Sequence, residues 1–307
     1  MIPTLAVMKR VAAVLPGARG ARLRDGVGVG YEMAPFVPPT RIALRTGLWP
    51  RLTILAWPDR PSRYQALFKL CAVNGYRITT RPEEPHDLFW YSCYHLDQHP
   101  SPPPEPGVNV RCRDVSKRRV GQVFEEVFGY SLTVDPTRHE GLLVEKADTN
   151  HSFEGRIVEG PMRPEDVRRD RVYQRFIDTT EGGQALDLRV PIYGGTIPVV
   201  YEKRRPIDAD LKDVRTARMA APEAVFTDRE RANILRFAEA MELDYAEIDV
   251  LRDKGDGRIY VVDANNTPAG PPKQMSRAEI AQALHLLSPA FTALVEAARE
   301  ARGRSPA

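Results

Sequence analysis

The clearest chemical signal in this chain is a pair of acids on either side of a turn. The segment Tyr245-Ala-Glu-Ile-Asp249-Val-Leu, then Arg-Asp-Lys-Gly-Asp256-Gly, then Arg-Ile-Tyr-Val-Val-Asp263 reads as two strands around a Gly-Asp-Gly turn. A hairpin symmetric about Asp256 sets Asp249 directly opposite Asp263, with both carboxylates on one face. Like charges opposed across strands are destabilising, and the neighbours Ile248, Val250, Val262 and Ala264 imply partial burial, where a bare carboxylate is costly. Two arrangements relieve the cost: a divalent cation between the acids, or an Arg or Lys from a neighbouring strand paired with one of them. Asn265, two residues after Asp263 and on the same face of an extended chain, adds a neutral oxygen. Carboxylates and an amide oxygen, without His or Cys, suit Mg²⁺ or Mn²⁺ better than zinc.

Ile-Asp249-Val followed by Val-Asp263-Ala-Asn265-Asn-Thr-Pro268 resembles the metal-binding end of the ATP-grasp fold, particularly the ribosomal-protein glutamate ligases and related carboxylate–amine ligases. The resemblance extends upstream in the same order, over roughly residues 114 to 272. It implies an ATP-grasp-like fold with ATP and Mg²⁺ (or Mn²⁺) as cofactors, and Asp249, Asp263 and Asn265 as the metal ligands. Lys117, in Asp114-Val-Ser-Lys117, matches the lysine that reaches the nucleotide phosphates. Lys146 matches the second nucleotide lysine, and Asn150, His151 and Ser152 fall in the loop that covers the phosphates. Gln174, Arg175, Phe176 and Ile177 match the hinge strand whose backbone meets the adenine edge. Asp187-Leu-Arg189 resembles the Asp-Ile-Arg motif of the glutamate-ligase branch, so that Arg189 would clamp the transferring phosphoryl group and Asp187 would orient it or meet the ribose. Three departures stand out: Asp263 where the family commonly has Glu, a covering loop with one glycine, and a short N-terminal lobe.

The resemblance implies ligation through an acyl phosphate, with a small-molecule or peptide carboxylate and an amine acceptor as substrates. A small-molecule kinase on the same fold, or a non-catalytic nucleotide-binding scaffold, remain alternatives. Other signals are weaker. Gly26-Val-Gly28-Val-Gly30 lacks the GxGxxG spacing of a dinucleotide loop. Lys203, Arg204 and Arg205 read as a solvated strand end, and Phe89, Trp90, Tyr91 and Tyr94 as core.

Several elements must position these residues. Val120, Val123, Phe124, Val127 and Phe128 share one helical face that Gly129 closes. Strands are expected at Leu142 to Lys146, Arg156 to Glu159, Val172 to Ile177 and Leu186 to Tyr193. Capping boxes at Thr227/Glu230 and Ser276/Glu279 announce two further helices, the second broken at Pro289. Upstream, Leu52 to Trp57 reads as a strand, Arg63 to Asn74 as a helix, and Arg77 to Thr80 and Asp87 to Tyr91 as short strands, giving a small α/β lobe. Residues 1–48, rich in Gly, Pro and Arg, read as an irregular arm or a small strand pair. The expected organisation is α+β: an arm over 1–48, a lobe and Pro-rich linker over 49–113, and a catalytic region over 114–307.

Composition excludes several classes. Forty-four basic and 41 acidic side chains leave a net charge of +3, too mixed for a nucleic-acid-binding surface. Three cysteines without a CxxC pair argue against a disulfide framework or a structural zinc site and for a reducing, cytoplasmic setting. No uncharged run reaches the ~20 residues of a membrane helix.

Overall fold

The computed structural model describes residues 5–94, 105–149, 155–207 and 213–304. In chain order the elements are helices α1 (Leu5–Val14), α2 (Gly17–Met33) and α3 (Pro39–Leu48), strand β1 (Leu52–Pro58), α4 (Ala66–Asn74), β2 (Tyr76–Thr79), β3 (Leu88–Ser92), α5 (Lys117–Phe128), β4 (Gly141–Ala147), β5 (Gly155–Gly160) and β6 (Arg171–Arg175). They continue with β7 (Thr180–Glu181), β8 (Gln184–Tyr193), β9 (Val200–Pro206), β10 (Thr216–Ala220), α6 (Pro222–Val225), α7 (Asp228–Ala240), β11 (Tyr245–Arg252), β12 (Ile259–Asn265) and α8 (Arg277–Arg304). The chain forms two compact units. Among the described residues, the first runs to Tyr94, includes the stretch ending at Val110 and resumes at Thr267; the second is Arg111–Asn266. The region expected to start at 114 therefore ends at Asn266, and α8 belongs to the first unit.

The first unit holds a parallel sheet of order β2-β1-β3. Parallel neighbours need a crossover, and α4 supplies it between β1 and β2. Residues Ala66 to Ala72 of α4 are all buried, and the helix stops at Gly75, whose φ of 74° is open to glycine at little cost. Residues 5–48 correct the expectation of an irregular arm, for they form three helices. Met8 and Ala12 of α1, Leu23 and Val27 of α2 and Ala43 of α3 make a small apolar cluster. The Gly-x-Gly-x-Gly run serves this packing. A Cβ on Gly26 would lie 2.3 Å from the Ala43 carbonyl oxygen and 2.5 Å from Gly47, and one on Gly30 2.9 Å from Ala43, so these glycines let α2 and α3 approach. Glycine's low helix propensity hid the helix, and tertiary contact overrides it.

Helix α8 opens on the expected capping box: Ser276 N–H donates to Glu279 Oε2 at 2.7 Å and Glu279 N–H to Ser276 Oγ at 3.3 Å. The expected break at Pro289 does not occur. Pro289 lies on the exposed side together with His285, whose carbonyl loses its amide partner but faces water, while Ala283, Leu284, Leu287, Phe291 and Val295 hold the buried side. Uninterrupted, Arg277–Gly303 is long and apolar enough by length and composition to cross a membrane, which the sequence reading overlooked. Its buried face, with the Phe291 ring tilted against Trp90 at 5.5 Å between centroids, is that of a core helix.

The second unit carries two antiparallel sheets. One follows the order β10-β9-β8-β11-β12 with β7 beside β8; the other is β5-β4-β6. Helix α5 buries Val120, Val123 and Phe124, each contributing roughly 1.5–3 kcal/mol, and is capped by Ser116, which accepts from Arg119 N–H at 3.2 Å. Helix α7 begins on the Thr227/Glu230 capping box and buries Ile234, Phe237 and Ala238. α5 lies against both α7 and β12. In the β11–β12 hairpin Asp249 does oppose Asp263, and Ile248 opposes Ala264. Nearer the turn the register shifts by one, pairing Val250 with Val261. The bulge leaves the acid-bearing end as symmetry about Asp256 requires. None of Cys71, Cys93 and Cys112 forms a disulfide, and all three are buried.

Candidate functional site

Strand register within the second unit gathers the polar residues. On β8, Asp187 and Arg189 point the same way by alternation; Arg189 opposes Asp249, and Asp187 opposes Lys203. Asp249 opposes Asp263, and Glu247 opposes Asn265. Asp187, Arg189, Lys203, Glu247, Asp249, Asp263 and Asn265 therefore share one face of the sheet. The opposite face carries Leu188, Val190, Ile248 and Val250, all buried, which fixes the polar set outward from that core.

On this face each acid of the hairpin meets a cation. Arg189 donates to Asp249 through Nε at 2.9 Å and a terminal nitrogen at 3.1 Å, a two-pronged pair, and Lys203 Nζ donates to Asp249 Oδ1 at 3.3 Å. Lys117 Nζ donates to Asp263 Oδ1 at 2.5 Å. The second of the two arrangements open to the sequence, pairing with neighbouring basic side chains, holds in this structure. Burial alone would raise the Asp249 carboxyl, but Arg189 and Lys203 overrule it and hold it well below the usual carboxylate range. Asp249 in turn raises Arg189 against its burial. Asp187 goes the other way: burial lifts it above its ordinary value, with Lys203 opposing.

Lys117 opens α5, and the next two residues turn elsewhere. Arg118 turns to Asp148, donating from its backbone at 2.9 Å and from Nε at 3.2 Å, while Arg119 reaches the Ala240 carbonyl at 3.4 Å. Only 7% of Lys117 is exposed, at a helix N-terminus whose dipole already favours anions. Lys146, near the end of β4, joins the same electrostatic cluster. Burial pushes its ammonium down to about 8, with Asp263 opposing and Lys117 assisting the shift. Three lysines and an arginine thus converge on two carboxylates.

Gln174 lies on β6 opposite Val144 of β4 and shares a sheet face with Lys146. It is 1% exposed, and neither its amide oxygen nor its amide nitrogen has a partner among the described residues. An unsatisfied buried amide costs about 1–3 kcal/mol. The other hinge residues divide. Arg175 N–H donates to Leu132 O at 3.0 Å and Phe176 N–H to Leu142 O at 3.2 Å, so these two donors are spent inside the protein. The Arg175 side chain leaves the cluster for the hairpin turn, donating to Tyr260 Oη at 2.8 Å and lying 3.7 Å from Asp253. Ile177 is buried. Asn150, His151 and Ser152 lie outside the described residues.

Sequence reading missed Lys203 and Glu247. Lys203, taken for a solvated strand end, is 9% exposed and bound to Asp249. Glu247, 3% exposed, has a carboxylate oxygen 3.9 Å from Arg189. Tyr193 is pushed well up by burial, then by Tyr245 and Glu247, and Tyr201 by burial and then Glu247, which sets Glu247 among phenols. No local pattern marks either residue; both follow from the β8–β9 and β8–β11 pairings.

The donor set fits a divalent hard cation. Two directly opposed carboxylates and an amide offer oxygen alone. Among the described residues no three His, Cys, Asp or Glu side chains cluster so as to hold a metal by themselves, so a metal here would draw its remaining oxygens from Asn265, water and a phosphate ligand.

No protein-family model matches this sequence, and no curated protein does. Solved structures match the fold. D-alanine–D-alanine ligase from Bacillus anthracis aligns over 81% of this chain and 97% of its own, with a TM-score of 0.52 and 13% identity. Its complex with ATP aligns over 83% and 98%, with a TM-score of 0.50 and 12% identity. The ATP-grasp ligase PsnB, with a phosphomimetic variant of a minimal precursor, Mg and ADP, aligns over 59% of this chain at a TM-score of 0.39 and 16% identity, and this chain covers 58% of it. The chain is an α+β protein with an ATP-grasp-like fold.

Proposed function

We propose that this protein is an ATP- and Mg²⁺-dependent ligase that joins a carboxylate to an amine. The observation that carries this reading is the convergence of Lys117, Lys146, Arg189 and Lys203 on Asp249 and Asp263 over one sheet face, with Gln174 unsatisfied nearby. Cations in such number are suited to a triphosphate, and opposed carboxylates to the metal that accompanies it. The fold shared with D-alanine–D-alanine ligase, itself solved with ATP, supports the same reading. ATP is the substrate whose γ-phosphorus a carboxylate oxygen attacks, releasing ADP and leaving an acyl phosphate. An amine nitrogen then forms the amide bond as phosphate leaves and the nitrogen gives up its proton.

The chain's own part is positioning and neutralisation. Lys117 and Lys146 would hold phosphate oxygens, and Arg189, with its planar fork, the transferring group. A magnesium ion held by Asp249, Asp263 and Asn265 would offset developing charge on the phosphoryl oxygens. Gln174 would meet the polar edge of the base, with the hinge backbone beside it. Asp187 lies where it can hold Lys203.

Calorimetric titration of ATP with and without Mg²⁺ into the wild type and an Asp249→Ala/Asp263→Ala variant tests the binding half. Metal-dependent binding that the variant lacks supports the reading, while a well-folded wild type that binds no nucleotide sinks it. Turnover is tested by ADP and phosphate release. Both products should appear together only when a competent carboxylate and amine are supplied; ADP without free phosphate would instead indicate a kinase.

A further inference from the structure

Asp249 cannot serve a metal and Arg189 in the same way. In the free protein both its oxygens accept from Arg189, at 2.9 and 3.1 Å, and Oδ1 also accepts from Lys203. A divalent ion bound there must displace at least part of this fork, and a guanidinium released into a half-buried site with no second anion would be costly. A second carboxyl group stands close by. Glu247 stands two residues before Asp249 on the same strand face, with its side chain 1% exposed and Oε2 3.9 Å from the third nitrogen of the Arg189 fork. The two acids flank one guanidinium: Asp249 engages Nε and one terminal nitrogen, and Glu247 faces the other.

We propose that Glu247 is a positioning residue that takes over Arg189 when a metal claims Asp249, keeping the guanidinium on the reactive face. The inference rests on the reading of Asp249 as a metal ligand. Glu247 touches neither substrate nor metal; it acts through Arg189. Its effect is to lower the cost of opening the Asp249–Arg189 pair, so the metal binds more tightly than it would to the pair alone. A two-residue step across one sheet face suits the transfer, because Arg189 can shift along the strand without leaving its own position on β8.

A double-mutant cycle on metal affinity tests this. Mn²⁺ binding in the presence of ATP is read as the loss of the free-ion electron-paramagnetic-resonance signal beyond that caused by the same ATP without protein, for the wild type, Glu247→Gln, Arg189→Met and the double variant. Glu247→Gln should weaken Mn²⁺ binding about tenfold when Arg189 is present and less than about twofold when it is Met. Glu247→Asp, which withdraws the carboxylate by one methylene and disturbs the core less, should lie between wild type and Glu247→Gln. Equal weakening in both backgrounds would mean that Glu247 merely supports the fold and would overturn the inference, as would unchanged affinity in Glu247→Gln or Glu247→Asp. A folded wild type that binds no Mn²⁺ with ATP would remove the metal reading itself, and the inference with it.

Discussion

Replacing Asp249 by Asn removes the charge on which two cations depend. The amide keeps the shape but deprives Lys203 and Arg189 of their shared carboxylate, leaving Arg189 only the more distant Glu247 at 3.9 Å. Breaking one side of a buried ion pair costs about 3–5 kcal/mol. Here the Asp249 and Arg189 side chains retain 21% and 27% exposure, so water recovers part of the loss and about 2–3 kcal/mol is the expected cost. At roughly 2–4 °C per kcal/mol for a unit of this size, Asp249→Asn should lower the melting temperature by about 5–10 °C in ligand-free protein at pH 7. The pH dependence has a definite sign. The folded-state pKa of Asp249 is depressed below the ordinary 3.8, so its contribution is present above that value and is lost as pH falls through the folded pKa. The gap between wild type and variant should therefore narrow below about pH 4. Thermal unfolding followed by circular dichroism measures each quantity. A variant as stable as wild type at pH 7, or a gap that widens in acid, would refute the electrostatic account of this site.

Other expectations follow from single positions. Lys146 titrates near 8 in the free protein, so a phosphate ligand, which favours its charged form, should bind with proton uptake above that pH and lose affinity as pH rises; calorimetry in buffers of different ionisation enthalpy measures it, and uptake that does not change between pH 7 and 9 would count against a phosphate role. Gln174→Leu removes two unsatisfied buried atoms and should leave the melting temperature equal to or above wild type while weakening ATP binding several-fold; a large loss of stability would mean the amide has a structural partner. Gly26→Ala, whose Cβ would lie 2.3 Å from the Ala43 carbonyl oxygen, should destabilise by about 3 kcal/mol, whereas Gly28→Ala meets nothing within 4 Å and should stabilise by about 0.5–1 kcal/mol. Denaturant titration of the pair separates close helix packing from any loop role for these glycines.

Local physics made part of this protein legible. The apolar stripe of α5, the capping boxes of α7 and α8 and the turn at Asp256 are each settled by neighbours within a few residues, and they appear in the sequence because the interactions that form them are local. The opposition of Asp249 and Asp263 was readable for the same reason, since a hairpin fixes its register through its own turn. Helix α2 was not readable. Its glycines argue against a helix one residue at a time, and only the close face of α3 makes them favourable. The unbroken course of α8 through Pro289 likewise depends on which side of the helix the core occupies.

At the site, the sequence by itself determined which acids face each other and that their charge must be compensated. Tertiary structure decided what compensates it. Arg189, Lys203 and Lys117 lie 60, 46 and 146 residues from the acids they bind. Nothing local to those residues specifies the strand order β9-β8-β11 or the entry of α5 that brings them there. Charge acts through space, and distance along the chain says nothing of distance across a sheet. The pairing of these cations, and the presence of Glu247 behind Arg189, therefore exist only once the sheet has assembled.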